Sequence, residues 1–170
     1  MDKGELRAAG ERWQIVFTRR LTHPVDKVWR AVTEPAHLNA WFPTEIQGER
    51  AEGAPLRFTF PSEGDDAAFG GEVLVWEPPR TFAFRWGEDE LRMDLESTRD
   101  GTVLTLTHTI DEKGRAVRDA AGWHGCLDLL AAELDGVEPD FDPRERWEKV
   151  RPLYLEAFGQ DAATIGPPGA

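Results

Sequence analysis

Over residues 11–20 the chain alternates, with Trp13, Ile15 and Phe17 on one side and Gln14, Thr18 and Arg20 on the other, a period of two that predicts a strand. Pro24 then stands where a first helical turn loses nothing by lacking an N–H, and Val25, Val28, Trp29 and Val32 follow at helical spacing. Pro35 opens a second short helix that carries Leu38, Trp41 and Phe42 and stops at Pro43. Six further strands are predicted at 44–50, 55–60, 69–76, 80–86, 90–97 and 102–110, parted by Gly, Pro, Asp or Glu turns. Leu56, Phe58 and Phe60 share one face, as do Phe82, Phe84 and Trp86, then Leu91, Met93 and Leu95, and finally Leu104, Leu106, His108 and Ile110. Arg57, Arg85, Arg92, Asp94 and Glu96 take the other face, so the sheet has a single apolar side to cover.

The predicted cover is residues 114–134, where Ala116, Ala120, Trp123, Leu127, Leu130 and Leu134 recur at steps of three and four before Gly136. Some twenty residues at ~1.5 Å each give a helix about 30 Å long, enough to cross a sheet. Gly122 and Gly125 inside it each cost ~1 kcal/mol relative to Ala, which predicts a close approach to the sheet or a bend beside a pocket. A last amphipathic helix is expected from Pro143 to Phe158, with Asp142 as its N-cap and a stripe of Trp147, Val150, Tyr154 and Phe158. The expected organisation is a flexible lead-in over 1–11, a main domain over 12–137, a helical extension over 138–159 and a disordered tail over 160–170. The fold class is α+β: a curved antiparallel sheet of about seven strands around a long C-terminal helix, with two short helices after the first strand and an extra helix at the end.

Charge and cysteine content narrow the function. Twenty Lys and Arg against 32 Asp and Glu leave a net charge of −12, which repels polyphosphate and anionic surfaces, so no nucleic acid is expected. No stretch approaches 18 apolar residues and the first residues lack an apolar h-region, so neither membrane insertion nor export is expected. The lone Cys126 excludes an internal disulfide and fits a cytoplasmic setting. Seven Trp and nine Phe beside one Tyr supply bulky apolar surface with few hydroxyls, which suits a large core or a hydrophobic cavity.

At the level of residues, PVDKVWRAVTEPAHLNAWF, GGEVLVWEPPRTFAFRW, TVLTLTHT and AAGWHGCLDLLAAELDG resemble the SRPBCC (START/Bet v 1-like) superfamily, in the branch related to the activator of Hsp90 ATPase. The resemblance covers about residues 12–136. It implies the helix-grip fold and a ligand cavity between sheet and helix, while the superfamily's functions range from lipid carriers to cyclases and co-chaperones.

Candidate ligand-lining residues are Trp41, Phe42, Phe58 and Phe60 from the corner and early strands, and Trp76, Phe84, Trp86 and Met93 from the middle of the sheet. His108, Trp123, His124 and Leu127 complete the set. His108 and His124 are the polar candidates, as anchors for a ligand or as an acid–base pair. His23 and His37 lie near the corner without H-x-x-x-H spacing, so no metal site is expected. Cys126 has no CxxC partner, and no phosphate or dinucleotide loop appears, so no cofactor is expected either. The leading expectation is a noncatalytic protein that binds a small, mostly apolar molecule, lipid-like or aromatic. The alternatives are a cyclase or hydrolase using His108 and His124, and a co-chaperone-like or self-associating module whose C-terminal helix or acidic surface docks a protein partner or second copy.

Overall fold

In the computed structural model, which describes residues 3–60 and 65–166, eight strands form one antiparallel sheet. They are β1 (Glu5–Ala9), β2 (Arg12–Leu21), β3 (Glu45–Gln47), β4 (Pro55–Thr59), β5 (Phe69–Glu77), β6 (Thr81–Trp86), β7 (Asp89–Thr98) and β8 (Gly101–Ile110). Their spatial order is β1-β2-β8-β7-β6-β5-β4-β3, so the first long strand closes against the last one. Two short helices, α1 (Val25–Thr33) and α2 (Pro35–Leu38), form the corner after β2; α3 (Ala116–Asp135) is the long helix and α4 (Pro143–Phe158) follows it.

The alternation determines what faces α3. Ile15, Phe17, Phe58, Phe82, Phe84, Leu91, Met93, Leu104 and Leu106 are buried almost completely on the inner face. Arg85 pairs with Glu72, and Arg92 with Asp94, on the exposed one. Gly71 is required by the sheet, since a Cβ there would lie 1.8 Å from the Arg85 carbonyl and 2.8 Å from the Phe58 ring. Gly136, at φ 68°, ends α3 in the left-handed conformation, where its N–H caps the helix carbonyls. Asp142 caps α4, its carboxylate accepting from the backbone N–H groups of Arg144 (2.9 Å) and Glu145 (3.0 Å).

Three features depart from expectation. The lead-in over 1–11 contains β1, paired with β2 from Glu5↔Val16 to Ala9↔Arg12, because backbone hydrogen bonds across the Gly10 turn need no side-chain pattern. Residues 160–163 of the expected disordered tail form a 3-10 turn, and the Ile165 N–H then donates to the Gly114 carbonyl; residues 167–170 lie outside the described residues. The stripe of α4 is buried against its own chain: Val150 and Tyr154 are fully covered, and Trp147 donates from Nε1 to the Arg118 carbonyl at 3.1 Å. Burying two such side chains stabilises this docking by about 3–6 kcal/mol before ordering costs. Among the described residues the only exposed large apolar side chains are Leu74 and Val137.

Candidate functional site

The centre of the space between sheet and α3 is filled. Phe58 stacks on Phe84 with centroids 5.6 Å apart, Phe84 lies 4.9 Å from Phe82, and Phe42 meets Phe84 edge-on at 6.1 Å. Trp41 is sealed in as well and donates from Nε1 to the Ala31 carbonyl at 2.9 Å. Trp41, Phe42, Phe58, Phe84, Met93 and Leu127 are thus packed as core rather than lining a hollow, because aromatic rings of this number close the volume that the curved sheet encloses. Trp76 packs on the edge of this core, edge-on to Phe82 (5.3 Å) and beside Trp29 (5.2 Å).

Open space lies instead at one end of the α3 interface. A half-open cleft of about 490 Å³ is walled by Pro43, Phe60, Trp86 and Trp123, with Gly122, Cys126, Arg115, Arg118 and Asp119 contributed by α3 and the turn before it. A Cβ built on Gly122 meets no atom within 4 Å, and one on Gly125 meets only the Arg146 Cγ at 3.8 Å. Close approach to the sheet therefore does not explain these glycines; bare helix surface does. A second, smaller groove of about 250 Å³ continues along the same strip, between Gly122, Gly125, Cys126 and Trp147. Burial pushes the Cys126 thiol up to about 12, so it is a neutral surface element rather than a nucleophile.

His108 borders the cleft from beneath, almost wholly buried. Its Nδ1 accepts from the Trp123 indole N–H at 2.9 Å, and an indole can only donate, so the neutral ring carries its hydrogen on Nε2. That Nε2–H donates to Asp89 Oδ2 at 2.8 Å. Arg115 grips the same carboxylate with both terminal nitrogens, at 3.0 and 2.6 Å. Burial raises the Asp89 pKa, but the hydrogen bonds from His108 and Arg115, with the Arg115 charge, outweigh it and hold the carboxyl at about 2. The chain Arg115–Asp89–His108–Trp123 fixes one wall of the cleft, and it leaves His108 no nitrogen to offer a substrate.

His124 faces the other way. Its Nδ1 bonds the Tyr154 hydroxyl at 2.7 Å, that hydroxyl also accepts from the Gly4 N–H at 2.9 Å, and the Phe17 ring closes the site at 6.4 Å. Burial, which penalises the imidazolium, pulls its pKa below the ordinary value; Asp128 opposes this, and Arg19 and Arg146 add to it. The two histidines do not converge: His108, on β8, meets Trp123, whose neighbour His124 points about 100° away around α3 to the side that α4 occupies. His23 and His37 pair with Asp135 (2.7 Å) and Glu133 (3.2 Å), tying the corner to the end of α3. Among the described residues no group of three or more His, Cys, Asp or Glu is placed to hold a metal ion.

Of the expected set, the structure places Phe60, Trp86, His108 and Trp123 on the cleft. Pro43, Arg115, Arg118, Asp119 and Asp89 were not foreseen. One signal for Asp89 lay in the sequence: stepping the Leu91, Met93, Leu95 alternation back by two puts it on the inner face.

Residues 22–135 match the model of a protein family described as activator of Hsp90 ATPase homolog 1-like. No curated protein sequence matches. The crystal structure of CalU16 from Micromonospora echinospora is similar at 27% identity, with a TM-score of 0.73 over 93% of this chain and 97% of that one. A conserved protein of unknown function from Enterococcus faecalis, at 22% identity, shares the fold with a TM-score of 0.72 over 91% of this chain and 89% of its own. A Bordetella parapertussis protein, also at 22% identity, has a TM-score of 0.68 over 91% and 90% of the respective chains. Among the described residues no helix is long and apolar enough to cross a membrane. With a family match spanning well over half its length on an eight-stranded sheet gripping one long helix, the chain belongs to the family of activator of Hsp90 ATPase homolog 1-like proteins.

Proposed function

We propose that the protein binds a small, mostly apolar, aromatic molecule in the cleft at the end of α3, and that it does so without catalysis. The observation that carries this is the bare floor at Gly122: a helix accepts the penalty of a glycine where the fold itself leaves room for a side chain, in the lining of a cleft of about 490 Å³. That volume is within the range of small-molecule sites, ~300–1,000 Å³. Trp86, Trp123 and Phe60 supply apolar wall, and Arg118 and Asp119 a polar rim. The acid–base alternative has no agent here, since His108 is bonded at both nitrogens and His124 lies under α4.

The test is a thermal-shift and native mass-spectrometry screen of naphthalene, flavonoid and polyketide-like compounds against the wild type and Gly122→Leu. Binders raise the melting temperature of the wild type, as linkage requires, and the leucine fills the floor and removes the response. A response that survives Gly122→Leu unchanged would place binding elsewhere and end this reading.

A further inference from the structure

The sheet has two edges, and only one of them is closed. At β3, three residues long, Arg50 donates from its terminal nitrogens to the Ile46 carbonyl at 3.2 Å and the Gly48 carbonyl at 2.9 Å, so a side chain occupies the line where a further strand would pair. β1 has no such cover. The two-residue turn at Gly10 and Glu11 makes Ala9↔Arg12 a hydrogen-bonded pair, so Glu5 and Arg7 also turn their backbone groups to β2, and those of Leu6 and Ala8 point outward. Gly4 shares the parity of Leu6 and Ala8, and its N–H does leave the sheet, for the Tyr154 hydroxyl at 2.9 Å. Among the described residues nothing bonds to the outward N–H and C=O of Leu6 and Ala8. Glu5 and Arg7 are exposed on the outer face, and neither side chain has an ion-pair partner among the described residues. On the inner face the half-buried Leu6 borders a groove of about 410 Å³ shared with Ala8, Trp13 and Phe158.

We propose that β1 pairs with β1 of a second copy of this chain, antiparallel about a two-fold axis at Leu6, so that one sheet runs through both molecules. Charge selects that register. With the axis at Leu6, each copy's Glu5 faces the other's Arg7 at the closer, non-hydrogen-bonded positions, where Cβ atoms stand ~4.5–5.5 Å apart. Moving the axis to either neighbour sets Glu5 against Glu5 or Arg7 against Arg7, and moving it to Ala8 sets Glu5 against Glu11. The two Leu6 residues exchange both backbone bonds, and each Ala8 N–H donates to the other copy's Gly4 carbonyl, so Gly4 keeps its bond to Tyr154. The net charge of −12 on each copy opposes approach at low salt, but at about 0.15 M salt repulsion beyond ~8 Å is screened and the contact pairs decide.

A strand-edge contact of this length is at the small end of specific interfaces, so sedimentation velocity is run at about 0.15 M salt up to concentrations on the order of 100 μM. The wild type moves from monomer towards dimer over that range. Glu5→Arg and Arg7→Glu, which set like charges opposite each other, each stay monomeric alone, and an equimolar mixture of the two restores a dimer. Circular dichroism and melting curves like those of the wild type show that both variants fold, as exposed positions allow. In the wild type, amide exchange at Leu6 and Ala8 slows as concentration rises, while the Glu5 and Arg7 amides, already bonded to β2, stay as they were. A dimer that survives Arg7→Glu puts the contact elsewhere, on α4 for example, and overturns the inference. So does a wild type that remains monomeric throughout, which leaves the edge to a different chain or to none, and so does a dimer without added protection at Leu6 and Ala8.

Discussion

Trp123 and His124 are consecutive on α3, both are buried, and each belongs to a hydrogen-bonded chain that crosses the fold, yet one chain ends at an open cleft and the other is sealed under a helix. On the Trp123 side the partners are ionic: Arg115 and Asp89 hold His108, and the wall they fix meets solvent-accessible space. On the His124 side one ring nitrogen meets the Tyr154 hydroxyl, which also takes the Gly4 N–H, the other lies 3.7 Å from Asp128 with its Arg19 and Arg146 partners, and α4 closes over the whole. A buried histidine is therefore no mark of function in itself. What separates the two is whether the next layer of side chains closes over the network or stops short of it.

The largest effect is expected from cutting the ionic chain. Asp89→Ala takes the carboxylate from His108 and leaves Arg115 with Asp119 alone, and should destabilise the fold by about 3–5 kcal/mol, measured by urea unfolding. A loss under 1 kcal/mol would show that the cleft wall does not depend on this carboxylate. Tyr154→Phe, which leaves the Gly4 N–H and His124 without their hydroxyl, should cost about 1–3 kcal/mol and increase hydrogen exchange in β1 and α4 while leaving the Trp123 indole protected. Equal loss of protection on both sides would merge the two networks into one.

Acid should separate them too. The folded-state pKa of His124 is depressed, so its contribution is complete above the unfolded value of about 6.5 and is lost as the pH falls below it. Asp89 is depressed from 3.8 to about 2, so its contribution of about 2 kcal/mol is complete above pH 3.8 and is lost only between there and pH 2. Melting temperature against pH should show an early decline that His124→Gln removes and a late one that Asp89→Ala removes. The smallest effect comes from Gly122→Ala, which should stabilise α3 by up to about 1 kcal/mol since its methyl meets nothing. Gly71→Ala should do the opposite, with its methyl forced onto the Arg85 carbonyl.

Periodicity made the faces legible but not the volumes between them. Alternation through Phe82–Trp86 and Leu91–Leu95 put the right side chains inside, and the 3.6-residue pattern fixed α3 and its end at Gly136. Neither tells whether Phe58, Phe84 and Phe42 fill the interior or ring a cavity, since that depends on sheet curvature and ring tilt. The direction of His124 was hidden for another reason: it depends on where α4 docks, and an amphipathic stripe states that a helix is covered without saying by what. β1 escaped because Glu5–Ala9 has little apolar pattern and is held by backbone pairing. Asp89 escaped because an acid beside Gly87 and Glu88 reads as a turn until the strand is extended back through it.

One hydroxyl joins residues 150 positions apart, at Gly4 and Tyr154. A bond of that separation closes nearly the whole polypeptide into a ring, and such contacts are slow to form because the intervening chain must be arranged first. β1 and α4 should therefore be the last segments to lock during folding and should come free together. Trimming either terminus past this latch would loosen the opposite one, so tags and truncations at the two ends are not independent choices.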